Sequence, residues 1–263
     1  MAPVPQVVLT IAGSDPSGGA GLQADLRAIA VHGQLGAAVV TALTVQNSRG
    51  VMHVHPVDSG LVAAQIAAVL DDMPVAAIKI GMLGNAEVAG AVADAVSGTS
   101  VPVVLDPVIT STSGAALLSD AALHVVRDRL APLATLVTPN LAEARALLDG
   151  DEPDAARLAD LLGVPVLLTG GHAAGDLVTD VLDFPGEGRT REFSAPRIPT
   201  PHDHGTGCLL STSIACSLAA ENSVVEAVEH GRRCVRAGLV AARGLGAGPG
   251  AVLLLDLPRG DGF

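Results

Sequence analysis

The chain has 263 residues, 49% of them hydrophobic and 16% charged, with a formal net charge of −12. Such length and apolar content support a large α/β core and exclude a disordered chain. The acidic balance repels a phosphate backbone, so nucleic acid is not an expected partner, and any anionic ligand must be held by local features.

Aromatics are limited to three Phe, with no Trp or Tyr. The core must therefore be built from Ala, Val, Leu and Ile, which suit buried parallel strands. Val7 to Ala12 reads as a strand, followed by a Gly/Ser/Pro loop and a helix from about Gly21 to His32. Ala37 to Val45 is a second strand, and Leu61 to Leu70 carries a helical pattern. Compact apolar runs at Ala76–Ile80, Val101–Leu105, Thr135–Val137 and Pro165–Leu168 each end in a polar or Gly-rich turn. Helical segments lie between them, at about Ala86–Val96, Ala115–Arg129 and Leu141–Leu148. Leu177–Phe184 and Thr190–Ala195 flank Pro185-Gly186-Glu187-Gly188, which predicts an antiparallel hairpin at a sheet edge. Helices at about Gly207–Ala220 and Val224–Arg243 follow. The alternation predicts an α/β fold, a three-layer α/β/α sandwich with a mostly parallel central sheet, in a single domain over residues 1–263.

The cysteines are Cys208, Cys216 and Cys234. An odd, sparse set without metal spacing argues against a disulfide framework or a zinc site and fits the cytoplasm. No basic start precedes the first apolar run, and no apolar run reaches the roughly 18 residues of a membrane span. Neither a signal peptide nor a membrane partner is expected.

In open α/β sheets ligands sit beyond the carboxyl ends of the strands, so the loops after each strand carry the information. His204-Gly205-Thr206-Gly207-Cys208 stands directly before a helix. Its glycines let backbone approach a ligand, and the free amides of a helix start suit phosphate. Taken alone, the segment reads equally well as a loop with Thr206 as N-cap. Cys208 falls in the first turn, where a thiolate is favoured. Ala12 to Gly21, with Gln23-Ala24-Asp25 beyond it, is a second glycine-rich strand-to-helix loop, neither a dinucleotide fingerprint nor a P-loop. An isolated Asp25 would by default be a solvated carboxylate. Gln46, at a strand end, can donate and accept at once, which suits a heterocycle edge. Lys79 is the chain's one lysine, on an apolar strand. It must pair with a carboxylate or reach the strand end, because an unpaired buried ammonium is costly. Asp106 ends another strand. Asn140 and Glu143 lie three apart at a helix start, either as a capping box or as a pair able to hold hydrated Mg²⁺. Thr169-Gly170-Gly171-His172 is a tight turn able to lie against a nucleotide.

Together these segments resemble, in order and spacing, the hydroxymethylpyrimidine/phosphomethylpyrimidine kinases of the ribokinase-like superfamily. The resemblance rests on Ile11 to Gly21 with Gln23-Ala24-Asp25, Thr41 to Asn47, Lys79-Ile80-Gly81-Met82-Leu83, Asp106-Pro107-Val108, Thr138-Pro139-Asn140-Leu141 and His204 to Cys208. It runs from about residue 7 to 250. It implies two transfers from MgATP, to 4-amino-5-hydroxymethyl-2-methylpyrimidine and then to its monophosphate, in thiamine biosynthesis. By position, Gln46 should hold the pyrimidine edge, and Gly13, Ala20, Asp25, Met82 and Val108 should line the same pocket. Cys208 stands at the place of the base, with Gly205, Thr206 and Gly207 forming the anion hole. Asp106, Asn140, Thr169, Gly171 and His204 belong with ATP, and Glu143 and Asn140 with Mg²⁺ through water. The resemblance also implies a homodimer. Thr112 and Thr169 stand where many relatives carry lysine, and Asp203 where threonine is usual. Arginine or Mg²⁺ must then supply charge, and Asp203 should raise the Cys208 pKa. The alternatives are a pyridoxal kinase of the same fold and a non-catalytic pyrimidine-binding protein.

Overall fold

The computed structural model describes residues 5–257 except 112, 113, 115, 116, 172–174, 189 and 245. Nine strands form one sheet. In chain order the strands are β1 (Val7–Ser14), β2 (Leu35–Asn47), β3 (Gly50–Pro56), β4 (Val75–Ile80), β5 (Val103–Leu105), β6 (Leu136–Val137), β7 (Val166–Leu168), β8 (Leu177–Asp183) and β9 (Arg191–Pro196). The helices are α1 (Gly21–Val31), α2 (Ser59–Asp72), α3 (Ala86–Val96), α4 (Asp120–Val125), α5 (Leu141–Leu147), α6 (Ala155–Leu162), α7 (Thr206–Ala219) and α8 (Val224–Ala241). Strand order is β3-β2-β1-β4-β5-β6-β7-β8-β9. The run from β2 to β7 is parallel, and β3, β8 and β9 are antiparallel.

Side chains alternate across the sheet. Leu9, Ile11, Ile78, Ile80, Val103 and Leu105 face a core shared with α2 to α6. Val8, Ala77, Val104, Leu136 and Leu167 face the opposite core, completed by α7 and α8. α1 packs on α7, and α7 on α8, so helices cover both faces. The three-layer expectation holds, as does the β8–β9 hairpin at one edge.

Three elements differ from expectation, α6 being one that the sequence pattern did not predict. β3 forms a second antiparallel edge that the sequence pattern did not predict. The helix expected over Ala115–Arg129 is shorter. Ser119 caps α4 by accepting from the Ala122 N–H, and a π-turn (Val126–Leu130) and a 3₁₀ turn (Ala131–Leu133) follow. Residues 115 and 116 and the Thr112 and His172 positions lie outside the described residues.

Candidate active site

The carboxyl ends of β1, β2, β4, β5 and β6 open on a cavity of about 670 Å³, within the usual size of a small-molecule site. Gly13, Ala20, Gln46, Met82, Val108 and Cys208 all line it. Gly13 lies close under Met82: a Cβ there would come within 2.6 Å of the Met82 sulfur and push that side chain aside. Gln46 points its amide toward His204, whose Nε2 lies 3.4 Å from both Gln46 Nε2 and the Asp15 carboxylate.

Asp15 organises the loop beneath. It accepts from the Ser17 N–H at 2.8 Å, the Ser17 hydroxyl at 2.7 Å and the Ala20 N–H at 2.9 Å. Burial alone would raise its pKa, but His204 and these donors outweigh burial and hold the carboxyl below its ordinary value. Nothing in sequence spacing marked Asp15. The His204 ring, expected beside the nucleotide, packs on Gly19 and lines this first cavity.

α7 begins at the cavity floor. Gly205, not Thr206, is the N-cap, at φ 86°, a left-handed conformation that favours glycine. A Cβ on Gly205 would also run into the Gly19 carbonyl. The first intrahelical bond runs from the Leu209 N–H to the Gly205 carbonyl at 2.9 Å, so the N–H groups of Gly207 and Cys208 precede the ladder. They form a positive end open to an anion. Gly205→Ala is expected to shift this start and cut turnover by about 10²-fold, with a stability loss of about 1–3 kcal/mol. Steady-state rates and denaturant melts of the variant check both.

Asp25 is neither solvated nor part of the cavity wall. It is fully buried behind the wall, where Oδ2 accepts from Lys79 Nζ at 2.9 Å and from the Thr10 hydroxyl at 2.6 Å, and Oδ1 from Thr212 at 2.9 Å. The pocket-lining expectation for Asp25 is therefore corrected: its donors pull it into the layer between sheet and helices. Lys79 pairs as the cost of burying an ammonium demanded. Burial would lower its pKa, but Asp25, Cys208 and Asp106 together raise it.

Burial pushes the Cys208 thiol up to about 12; Lys79 opposes that, and Asp25 and Asp106 add to it. The resting group is thus a thiol, not the thiolate expected at a helix start. The raising carboxylates are Asp25 and Asp106 rather than Asp203.

A second cavity, about 270 Å³, opens along the ends of β6 and β7. Thr169 and Gly171 line it, with Asp180, Arg232, Val235 and Leu239. Asp180 fixes the turn by accepting from the Gly170 N–H at 2.8 Å and from Arg232 Nε at 2.7 Å. Arg197 and Arg236 also line this cavity. Arginines on the edge hairpin side and on α8 thus bring cationic charge to the cavity lined by Thr169. Post-strand loops could not reveal them.

The two cavities share a wall of Asp106, Asn140, Glu143, Asp203, Thr206 and Gly207. Asn140 and Glu143 form a full capping box there. Asn140 Oδ1 accepts from the N–H groups of Ala142 and Glu143 at 2.9 and 3.0 Å, so its lone pairs are engaged. The amide NH₂ remains, a donor that suits phosphate better than metal-bound water. Glu143 Oε2 accepts from the Asn140 N–H at 2.9 Å, and the carboxylate also accepts from the Ile109 N–H. Burial, then Asp106, raises Glu143 to about 8, against the Asn140 and Ile109 N–H groups. Burial also raises Asp106, with Lys79 and Ser211 opposing. Two buried carboxylates, both raised by burial, stand at the junction of two cavities, where added positive charge would favour their ionised forms. A hydrated divalent cation fits that need.

The phosphomethylpyrimidine kinase family model matches residues 15–253. The chain belongs to that family. It is 45% identical over 255 residues to a hydroxymethylpyrimidine/phosphomethylpyrimidine kinase of Streptomyces coelicolor, covering 94% of each chain. A phosphomethylpyrimidine kinase structure from Clostridium difficile is 34% identical with a TM-score of 0.72, covering 86% of this chain and 96% of that one. An ADP complex of Bacillus subtilis pyridoxal kinase is 32% identical with a TM-score of 0.86, covering 95% and 97%. Among the described residues no helix is long and apolar enough to cross a membrane.

Proposed function

We propose that the protein transfers the γ-phosphoryl group of ATP to 4-amino-5-hydroxymethyl-2-methylpyrimidine, and then a second one to the monophosphate. The observation that carries this is the meeting of two cavities at the start of α7. One is lined by Gln46, Met82 and Val108 and takes the pyrimidine. The other is lined by Thr169, Gly171 and the Asp180–Arg232 pair and takes the nucleotide.

Gln46 pairs with the pyrimidine edge and turns the hydroxymethyl group toward Cys208. In the first transfer the hydroxymethyl oxygen bonds to the γ-phosphorus, the bond to the β–γ bridging oxygen breaks, and ADP leaves. The Cys208 thiol first gives its proton to solvent, and the hydroxyl proton then passes to the Cys208 thiolate. The Gly207 and Cys208 amides stabilise the equatorial oxygens, which suits a loose transition state. Asn140 donates to phosphate. Glu143 and Asp106 would hold Mg²⁺, which when bound supplies positive charge against the phosphates.

A pH effect follows for nucleotide loading. Below pH 8 Glu143 is protonated, and above it is ionised. Cation binding favours the ionised form, so Mg²⁺-nucleotide affinity should tighten as pH rises toward 8, by up to about tenfold per unit, and level off above. Calorimetric titration across pH checks this, with Glu143→Gln expected to flatten the profile.

The protein acts in the cytoplasm as a single-domain protomer of a homodimer. The β2–β3 hairpin exposes Leu43, Val45 and Met52 for a second copy to cover; light scattering tests the mass. The likeness to a pyridoxal kinase sets the second reading. Incubation with MgATP and either the hydroxymethylpyrimidine or pyridoxal, followed by mass spectrometry, separates the two. A pyrimidine diphosphate supports both transfers, pyridoxal phosphate alone supports the second reading, and no product from either defeats catalysis.

A further inference from the structure

A cluster outside the active site gathers three side chains distant in sequence. His32 caps the C-terminal end of α1, about 16 Å along that helix from Gly21 and the glycine-rich loop. His230 and Cys234 lie one turn apart on α8. The ligand atoms converge: His32 Nε2 is 2.8 Å from His230 Nε2, and Cys234 Sγ is 3.4 Å from His230 Nε2 and 3.9 Å from His32 Nε2. Cys234 is fully buried and the histidines are half-buried.

The tautomer of His32 is set. Its Nδ1 lies 2.7 Å from the Ala28 carbonyl, which can only accept, so Nδ1 carries the proton and Nε2 presents a lone pair. An imidazole held by a backbone carbonyl through its other nitrogen is the usual support of a metal-bound histidine. The rings meet edge to face, with centroids 5.0 Å apart and planes at 74°. A tetrahedral Zn²⁺ would space two nitrogens by about 3.3 Å and a nitrogen and a sulfur by about 3.6 Å, from its ordinary bond lengths. The observed triangle needs the two nitrogens to part by roughly half an ångström to meet that spacing.

We propose that His32, His230 and Cys234 form a transition-metal site of the Zn²⁺ class, with an open fourth position, joining the end of α1 to α8. Two imidazoles and one thiolate are a borderline-to-soft donor set that selects such metals over Mg²⁺. His230 Nε2–H donates to the His32 Nε2 lone pair at 2.8 Å without metal; on binding, the Cys234 thiol proton leaves to solvent, the His230 proton moves to Nδ1, and both imidazoles bind through Nε2. Burial favours neutral rings, lowering His32 and bringing His230 to about 4. Sequence spacing argued against a zinc site because one ligand comes from α1, far from the other two along the chain. The bound metal would tie α1 to a helix whose Val235 and Leu239 line the second cavity.

Co²⁺ is the probe, because thiolate coordination gives a charge-transfer absorption that hydrated Co²⁺ lacks. The full chain should bind one equivalent with that band. The band should vanish in Cys234→Ser, persist in Cys208→Ser, and need more than about tenfold higher Co²⁺ in His230→Gln. Zn²⁺ should displace Co²⁺ and raise the melting temperature of the wild type but not of His230→Gln. No band, a band that follows Cys208, or a Zn²⁺ shift unchanged in His230→Gln would overturn the site. His230→Gln keeps the test decisive should Cys234→Ser fail to fold.

Discussion

Cys208→Ser should slow the first phosphoryl transfer by about 10²–10⁴-fold and leave the second within about tenfold. The difference comes from the acceptors. A hydroxymethyl oxygen holds its proton tightly and must lose it as the bond to phosphorus forms. A phosphate monoester already offers an anionic oxygen and needs no base. The resting thiol, pushed up to about 12, is ionised in only a small fraction of molecules at neutral pH. The first transfer should therefore accelerate with pH, by up to about tenfold per unit, until another step limits. In Cys208→Ser that slope should disappear, while the second transfer stays nearly flat in both proteins. Quenched-flow assays with each acceptor across pH measure both effects. Equal losses in the two transfers would remove Cys208 from the role of base and leave it a structural member of the anion hole.

Lys79→Met should destabilise the fold by about 3–5 kcal/mol, the usual effect of removing one partner from a buried pair. Lys79 and Asp25 are both sealed from solvent, so water does not screen the loss. Asp25 would keep the Thr10 and Thr212 hydroxyls but lose its cation. A double variant, Lys79→Met with Asp25→Asn, should recover much of the loss because no lone charge remains. Urea melts of the four proteins form the cycle. The register pairs Thr10 with Lys79 across β1 and β4, and the Lys79 charge lowers the Cys208 thiol pKa. The single variant should therefore also raise the thiol further and weaken the first transfer. A Lys79→Met protein as stable as the wild type would show that the hydroxyls alone satisfy Asp25.

The layered fold was legible because strands buried on both faces read as short apolar runs. β3 was not, because this edge strand has no continuous buried face. α6 was missed although its signals were present: Asp154 as N-cap, Gly163 in the left-handed C-cap, and Ala155, Leu158, Ala159 and Leu162 buried at helical spacing. The first cavity was legible because glycine and polar residues follow its strands directly. The second was only half so, since Thr169 and Gly171 lie after a strand but Asp180 and Arg232 do not. Lys79 had either to pair with a carboxylate or to reach the strand end, and sequence could not name Asp25, a partner on another element. Asn140 and Glu143 were open to two readings, of which the capping box is observed. The capping bonds are made, and only the environment of Asp106 shows why the same carboxylate would still welcome a cation.

The burial of Lys79 has a practical side. Its ε-amine, the sole one in the chain, lies inside the protein against Asp25. Acylating reagents that decorate most enzymes at many exposed lysines will find this one closed while the fold is intact. Modification of Lys79 then reports opening of the layer between β4 and α1, residue by residue in a peptide map. The rate of that labelling, with and without nucleotide, would measure how far ligand binding holds the centre of the molecule shut.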